Sequence, residues 1–440
     1  MNTIVHENKV KETLGKHILA DGFDFVMDFE KSHGSYIVDR LTGKEYLDMF
    51  SMFASASVGY NHPYILEKAN WLGKMAIYKP TLSDVYLQEY ADFMDVFSRV
   101  AIPKELPYCF FVEGGALAVE NALKTAFDWK TRKNWQKDID KEASLVIHFK
   151  QSFHGRSGYT LSLTNTSDPR KHQYFPKFEW PRITNPKLNF PITEETLDET
   201  IKHEQMALLN IQEAILANPY EVACIIIEPI QAEGGDNHFR NEFFAELRRI
   251  CDENEILLIL DEVQTGIGMT GKMWAYHDLG IIPDVISFGK KTQVCGILAN
   301  KEKLDEVEHH VFVESSRINS TFGGNFIDML RFQLVLEIIE NENLVENSKV
   351  VGEFLLDGLS KLEQKYPEQI FASRGKGLMC AFDLKDHDTR NWLREKLYEE
   401  GIIVLTCGDQ SIRFRPHLNV TKEEIQIVLD KINSIFENLI

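Results

Sequence analysis

The sequence predicts an α/β protein: a large domain on a mostly parallel sheet, with a smaller α+β domain assembled from the two chain ends. Three observations carry this. Short, almost wholly apolar strands alternate with helical stretches between about residues 105 and 300, the pattern of a sheet covered on both faces. The chain has 440 residues, more than one compact core accommodates, so two domains are expected. The flanking segments read differently, hairpin-like before that region and helix-then-strand after it. Residues 1–60 and 325–440 are therefore expected to form the two parts of the small domain, and residues 61–324 the large one.

Taken in order, "GSYIVDRLTGKEYLDMF" (34–50) places two alternating apolar runs around the turn residues "RLTG", a hairpin. "YCFFV" then precedes the helical "ALAVENALKTAFDWK", whose apolar face is expected to be Leu117, Val119, Ala122, Leu123 and Ala126. "SLVIHF" leads into a loop, and "ACIIIEP" precedes the helical "NEFFAELRRICDEN". "ILLILDEV" and "DVISFG" supply further strands. Beyond about residue 325 a long helical region runs to "KLEQKY", followed by the strand-like "GLMCAFDL", "IIVLT" and "SIRFRP".

Composition narrows the partners. The formal charge is −19, from 67 acidic against 48 basic residues, so no basic stripe is available to follow nucleic acid or an anionic membrane. No apolar run approaches the roughly 18 residues of a membrane span, and "MNTIVHENKVKETLGKH" lacks the apolar centre of a signal peptide. Six cysteines, Cys109, Cys224, Cys251, Cys295, Cys380 and Cys407, are scattered without a CxxC pair. They read as reduced thiols, and the expected location is cytoplasmic.

Ligands of an open parallel sheet gather at the carboxyl ends of its strands. Those ends carry Glu113, Gly114 and Gly115; Phe153, His154, Gly155 and Arg156; Glu228, Gln231 and Glu233; Asp261, Glu262 and Gln264; and Lys290. "GIGMTG" (266–271) matches a dinucleotide fingerprint in letters, but "DEVQT" separates it from its strand and Asp284 precedes the next strand instead of ending it. "EGGALAVENALK" is either a phosphate cradle at a helix N-terminus or an ordinary glycine-containing helix start. Asp261 is a cap or the partner of a buried cation. Lys290 either reaches to water or sits desolvated, with a lowered pKa, as a nucleophile. His154 has no second His or Cys at ligand spacing, so no metal is expected and a packing role is. An aromatic, a carboxylate, a phosphate cradle and an amine together form the set that pyridoxal 5'-phosphate requires.

In this set and in the order of its motifs, the chain resembles the class III (ω-type) aminotransferases, which are fold-type I pyridoxal-phosphate enzymes. "GYNHP", "SFHGR", "EPIQAEGG", "DEVQTGIGMTG", "PDVISFGK" and "STFGGN" carry the resemblance, which spans nearly the whole chain. It implies that Lys290, six residues after Asp284, is the Schiff-base lysine, and that Lys291 is a solvated neighbour. It further implies that Asp261 pairs with the pyridine nitrogen, Gln264 approaches the 3-oxygen, and Phe153 and Val263 cover the ring faces. Gly115 and Ala116 would supply phosphate N–H groups. Thr321 would reach the phosphate of the other subunit, implying a homodimer with sites at the interface.

Departures from the family pattern, "GGALA" (114–118), Met269 and "GKKTQVCG", resemble the branch that moves the terminal amine of L-lysine to 2-oxoglutarate, giving L-glutamate. The alternative is an ω-aminotransferase acting on ornithine, 4-aminobutyrate or diaminobutyrate. For that branch Arg156 implies a reader of the distal carboxylate and Arg413 of the near one. Glu233 implies a switch that pairs with Arg413 for lysine and leaves it for glutamate, and Asn319 implies a substrate contact. Arg415, two residues beyond Arg413, remains an alternative near reader.

Overall fold

The computed structural model describes residues 5–438; residues 1–4 and 439–440, the tips of the expected small-domain segments, lie outside the described residues. Its central sheet has seven strands, in the spatial order Tyr108–Val112, Cys295–Ala299, Val285–Phe288, Leu257–Asp261, Val222–Ile227, Leu145–Phe149 and Arg182–Ile183. The last five of these are mutually parallel.

Cys295–Ala299 was not anticipated and runs antiparallel to both neighbours. Its direction follows from its connection. Residues 289–294 are too few for the crossover that a parallel return demands, so the chain doubles back. Tyr108–Val112 beyond it is again aligned with the parallel strands, and its carboxyl end joins theirs on one rim.

Side chains alternate across this sheet. Ile225, Ile227, Leu258, Leu260, Ile286 and Leu298 enter one apolar cluster. Ile226, Ile259, Val285 and Ile297 enter another, shared with helix Gly115–Trp135. That helix buries Ala118, Val119, Ala122, Leu123, Ala126 and Trp129. Leu117, expected on this face, is exposed, and Ala118 takes its place. At the first turn the helix face has only just met the sheet, and the small side chain is the one turned inward.

The expected hairpin is present, with Tyr36–Val38 antiparallel to Glu45–Asp48. Ile402–Ile403 adds to it in parallel, which joins the two chain ends in one small sheet. A separate antiparallel sheet orders Ile370–Lys376, Met379–Leu384, Ser411–Phe414 and Leu405–Cys407. The long helical region is two helices, Phe326–Asn341 and Leu344–Lys365, broken where Asn343 takes a left-handed conformation with φ of 52°. No described helix is long and apolar enough to cross a membrane, and all six cysteines are free.

Candidate active site

The parallel rim opens on a cavity of about 250 Å³ lined by Gly115, Ala116, Phe153, Asp261, Val263, Gln264, Lys290 and Glu233, together with His154, Gly155, Glu228 and Ala232. Eight of the twelve residues expected at the site thus meet in one place. Arg413 abuts it through Glu233. Arg156, Asn319 and Thr321 are exposed and do not line this cavity of their own chain.

Asp261 ends its strand opposite Ser287 in the neighbouring one. That register lets the Ser287 hydroxyl donate to Asp261 Oδ1 at 3.0 Å, beside the Val263 N–H at 3.1 Å. Asp261 Oδ2 lies 2.7 Å from Nδ1 of buried His154. Burial alone would lower the His154 pKa, but the hydrogen bond and charge of Asp261, with help from Glu228, raise it above its ordinary value. This pairing was missed because the two residues stand far apart in sequence and neither stretch signals the other.

Glu228, placed on the rim by the sequence but given no role there, is a second such member. Its carboxylate accepts from the Phe153 N–H at 2.9 Å and the Ala232 N–H at 3.1 Å, holding the aromatic residue's backbone against the cavity. Burial pushes its pKa up to about 7.

Lys290 opens the 289–294 turn with a φ of 56°, a left-handed conformation that non-glycine residues seldom take. Burial, then the charges of Arg413 and Arg415, lower its amine to about 8, against the smaller opposing pull of Asp261 and Glu233. Lys291 corrects an expectation: it is not solvated but 1% exposed. Its Nζ donates to the Gln264 carbonyl at 2.9 Å, and burial holds its pKa well below the ordinary amine value. A tight turn between two buried strands turns one lysine into the cavity and drives the other into the protein beneath it.

The two arginines of "SIRFRP" divide cleanly. Arg415 is saturated: it donates to Asp236, to Gln264 Oε1 at 3.1 Å and to the Phe414 carbonyl at 2.7 Å. Arg413, 2% exposed, donates through Nη2 to Glu233 Oε2 at 2.8 Å, while its Nε and Nη1 are buried without a partner among the described residues. Of the two, Arg413 has donors left for a ligand.

The residues present fit pyridoxal phosphate. Helix Gly115–Trp135 makes its first backbone bond from Ala118 N to Gly114 O, 3.0 Å. The N–H groups of Gly115 and Ala116 therefore have no helical acceptor and stand at the cavity wall, free for an anion. Gly155 is a packed constraint beside it: with φ of +132°, a Cβ there would sit 2.5 Å from Thr160 Oγ1 and 2.7 Å from Ala116 Cβ. An amine, a fixed carboxylate and an anion cradle around one cavity are the donor set this cofactor uses.

Comparison with known proteins agrees with this geometry. The aminotransferase class-III family matches residues 19–436. The chain is 47% identical over 431 residues to an L-lysine-epsilon aminotransferase of Mycobacterium tuberculosis (strain ATCC 25618 / H37Rv), covering 97% of this chain and 95% of the relative. An L-lysine-epsilon aminotransferase of Streptomyces clavuligerus is 46% identical over 434 residues, covering 98% and 94%. A solved lysine aminotransferase from M. tuberculosis superposes with a TM-score of 0.95 at 46% identity, covering 98% of this chain and 99% of that one.

Proposed function

The chain belongs to the class III aminotransferases and is a pyridoxal-phosphate enzyme, and from that membership we propose that its amino donor is L-lysine and its acceptor 2-oxoglutarate. The terminal amine is transferred, giving 2-aminoadipate 6-semialdehyde and L-glutamate. The single observation that carries this reading is the Arg413–Glu233 pair: a buried guanidinium, neutralised by one carboxylate, with two donors unused. A donor that enters terminal amine first brings an apolar chain to this position, and Glu233 then compensates Arg413. A dicarboxylate brings its own anion and takes the guanidinium bidentately.

The residue roles follow from the same arrangement. When bound, pyridoxal phosphate supplies an electron sink for the carbon that bears the amine. Lys290 Nζ, with its pKa lowered to about 8, would take the proton from that carbon and deliver it to the cofactor's own carbon, so that the amine leaves with the cofactor. Asp261, fixed between His154 and Ser287, would keep a proton on the pyridine nitrogen. Gly115 and Ala116 would hold the phosphate, Phe153 and Val263 would bound the ring, and Gln264 would stand near its oxygen substituent, since all five line the one cavity. Arg156 reads the distal carboxylate.

We also assign a homodimer. Thr321 and Asn319 lie exposed and outside their own cavity, as residues lent to a partner's site do.

The test is a scan of amino donors with purified protein, 2-oxoglutarate and pyridoxal phosphate, reading both glutamate and semialdehyde. Lysine is expected to have the highest kcat/KM. Faster turnover of ornithine, 4-aminobutyrate or diaminobutyrate overturns the assignment.

A further inference from the structure

We propose that Lys171 is the second anchor of Glu233, a positioning residue that keeps the Glu233 carboxylate when a dicarboxylate takes Arg413. The inference rests on the two-substrate reading above and deepens it.

The Glu233 carboxylate is shared between two cations. Oε2 accepts from Arg413 at 2.8 Å, and Oε1 accepts from Lys171 Nζ. Arg413 stands in the small-domain sheet, whereas Lys171 ends the short turn Pro169–Lys171 of the large-domain loop. Glu233 itself is only a quarter exposed at its side chain, so its charge has little water to fall back on. When a ligand carboxylate occupies the free donors of Arg413, two anions on one buried guanidinium repel, and Glu233 must give way. Its carbonyl stays tied to the Gly408 N–H at 3.0 Å, so the movement is one of the side chain.

A cavity of about 540 Å³ lies on the Lys171 side, with Arg170, Arg390 and Arg394 around it. Two of these are already committed. Arg170 is gripped by both oxygens of Asp168, at 2.8 and 3.0 Å, and Arg390 donates to the carbonyls of Gly408 and Asp409 at 3.2 and 2.8 Å. Arg394 approaches Glu395 at 3.6 Å. Lys171 is the cation already in contact with Glu233.

The consequence is an asymmetry. With lysine bound, Glu233 has two counter-cations, and loss of Lys171 leaves it Arg413. With a dicarboxylate bound it has only Lys171, and the same loss leaves a largely buried carboxylate alone.

The experiment compares the holoenzyme with its Lys171→Gln, Lys171→Arg, Glu233→Ala and Lys171→Gln/Glu233→Ala variants. Readouts are the two half-reactions and calorimetric binding of glutarate, an unreactive dicarboxylate. Lys171→Gln is expected to raise the KM for 2-oxoglutarate and the Kd for glutarate about tenfold, while the KM for lysine moves less than about twofold. Lys171→Arg should restore glutarate binding. In the Glu233→Ala background, Lys171→Gln should have no further effect on it. Equal changes in both half-reactions, or an undiminished Lys171→Gln effect without Glu233, would overturn the proposal. If the unmodified protein prefers another ω-amine to lysine, the donor assignment fails, and the glutarate comparison still decides the role of Lys171.

Discussion

The adjacent lysines should separate stability from activity. Lys291 is 1% exposed, with its amine hydrogen-bonded to the Gln264 carbonyl. Lys291→Ala deletes three buried methylenes, worth about 0.8 kcal/mol each. It also leaves a buried carbonyl without its donor, which costs about 1 kcal/mol more. Relief of the amine's own desolvation offsets part of this, so a net loss of about 2–3 kcal/mol is expected. Lys291→Met keeps the stem and should lose about 1 kcal/mol or less. Lys290 behaves oppositely. Its amine falls from 10.5 to about 8, and at about 1.4 kcal/mol per pH unit its protonated form costs the cofactor-free protein about 3 kcal/mol near neutrality. Lys290→Ala should therefore keep or raise the thermal midpoint of the cofactor-free protein while abolishing transamination. The assay is thermal or urea unfolding of cofactor-free protein beside single-turnover kinetics of the reconstituted one. If Lys291→Ala melts with the unmodified protein, or if Lys290→Ala is the less stable of the two, the burial argument for this turn is wrong.

The remaining predictions concern the same cavity. Because the folded pKa of Lys290 is depressed, the free amine appears as pH rises through about 8, well before the ordinary 10.5. The rate of pyridoxal phosphate capture by cofactor-free protein should climb with a midpoint near pH 8, and stability should increase between pH 8 and 10.5 as the unfolded chain retains the extra proton. A midpoint near 10 counts against a desolvated amine. Asp261→Asn removes the charge that raises the His154 pKa, so burial should then lower it, a change followed by NMR titration. Single-turnover rate should drop by about two orders of magnitude, as expected for losing a buried charge-assisted hydrogen bond of about 3 kcal/mol. An unchanged rate would remove Asp261 from the chemistry.

The parts of the site that could be read in advance are those where an element's end announces itself. "ILLILD" and "VISFGK" each terminate an apolar run in one polar residue, and alternation of strands with helices sends those ends to a common rim. Glu233 and Arg413 were readable through motif order. The misses share a cause: nothing local marks them. Strand Cys295–Ala299 is short, contains glycine, and takes its antiparallel direction from the brevity of residues 289–294. Lys291 looks like a surface lysine in a turn, and only the packed elements around it make it a buried donor. Lys171 sits in the charged run "DPRKHQ", where nothing in the letters points to the glutamate from a distant loop that it contacts.

Arg413 and Arg415 show why three-dimensional accounting was needed where sequence left a choice. Both are buried, both are cations, and both lower the Lys290 amine. What distinguishes them is unused hydrogen-bonding capacity. Arg415 has donors on Asp236, Gln264 and a backbone carbonyl, so removing it would break a support that also holds the Gln264 side chain. Among the described residues, Arg413 keeps Nε and Nη1 unpartnered in a buried setting. An orphaned pair of buried donors costs free energy in a protein at rest. That cost would be recovered when a carboxylate arrives, so on the proposed function the discrimination between an ω-amino donor and a dicarboxylate would reside in Arg413 and in how readily Glu233 releases it.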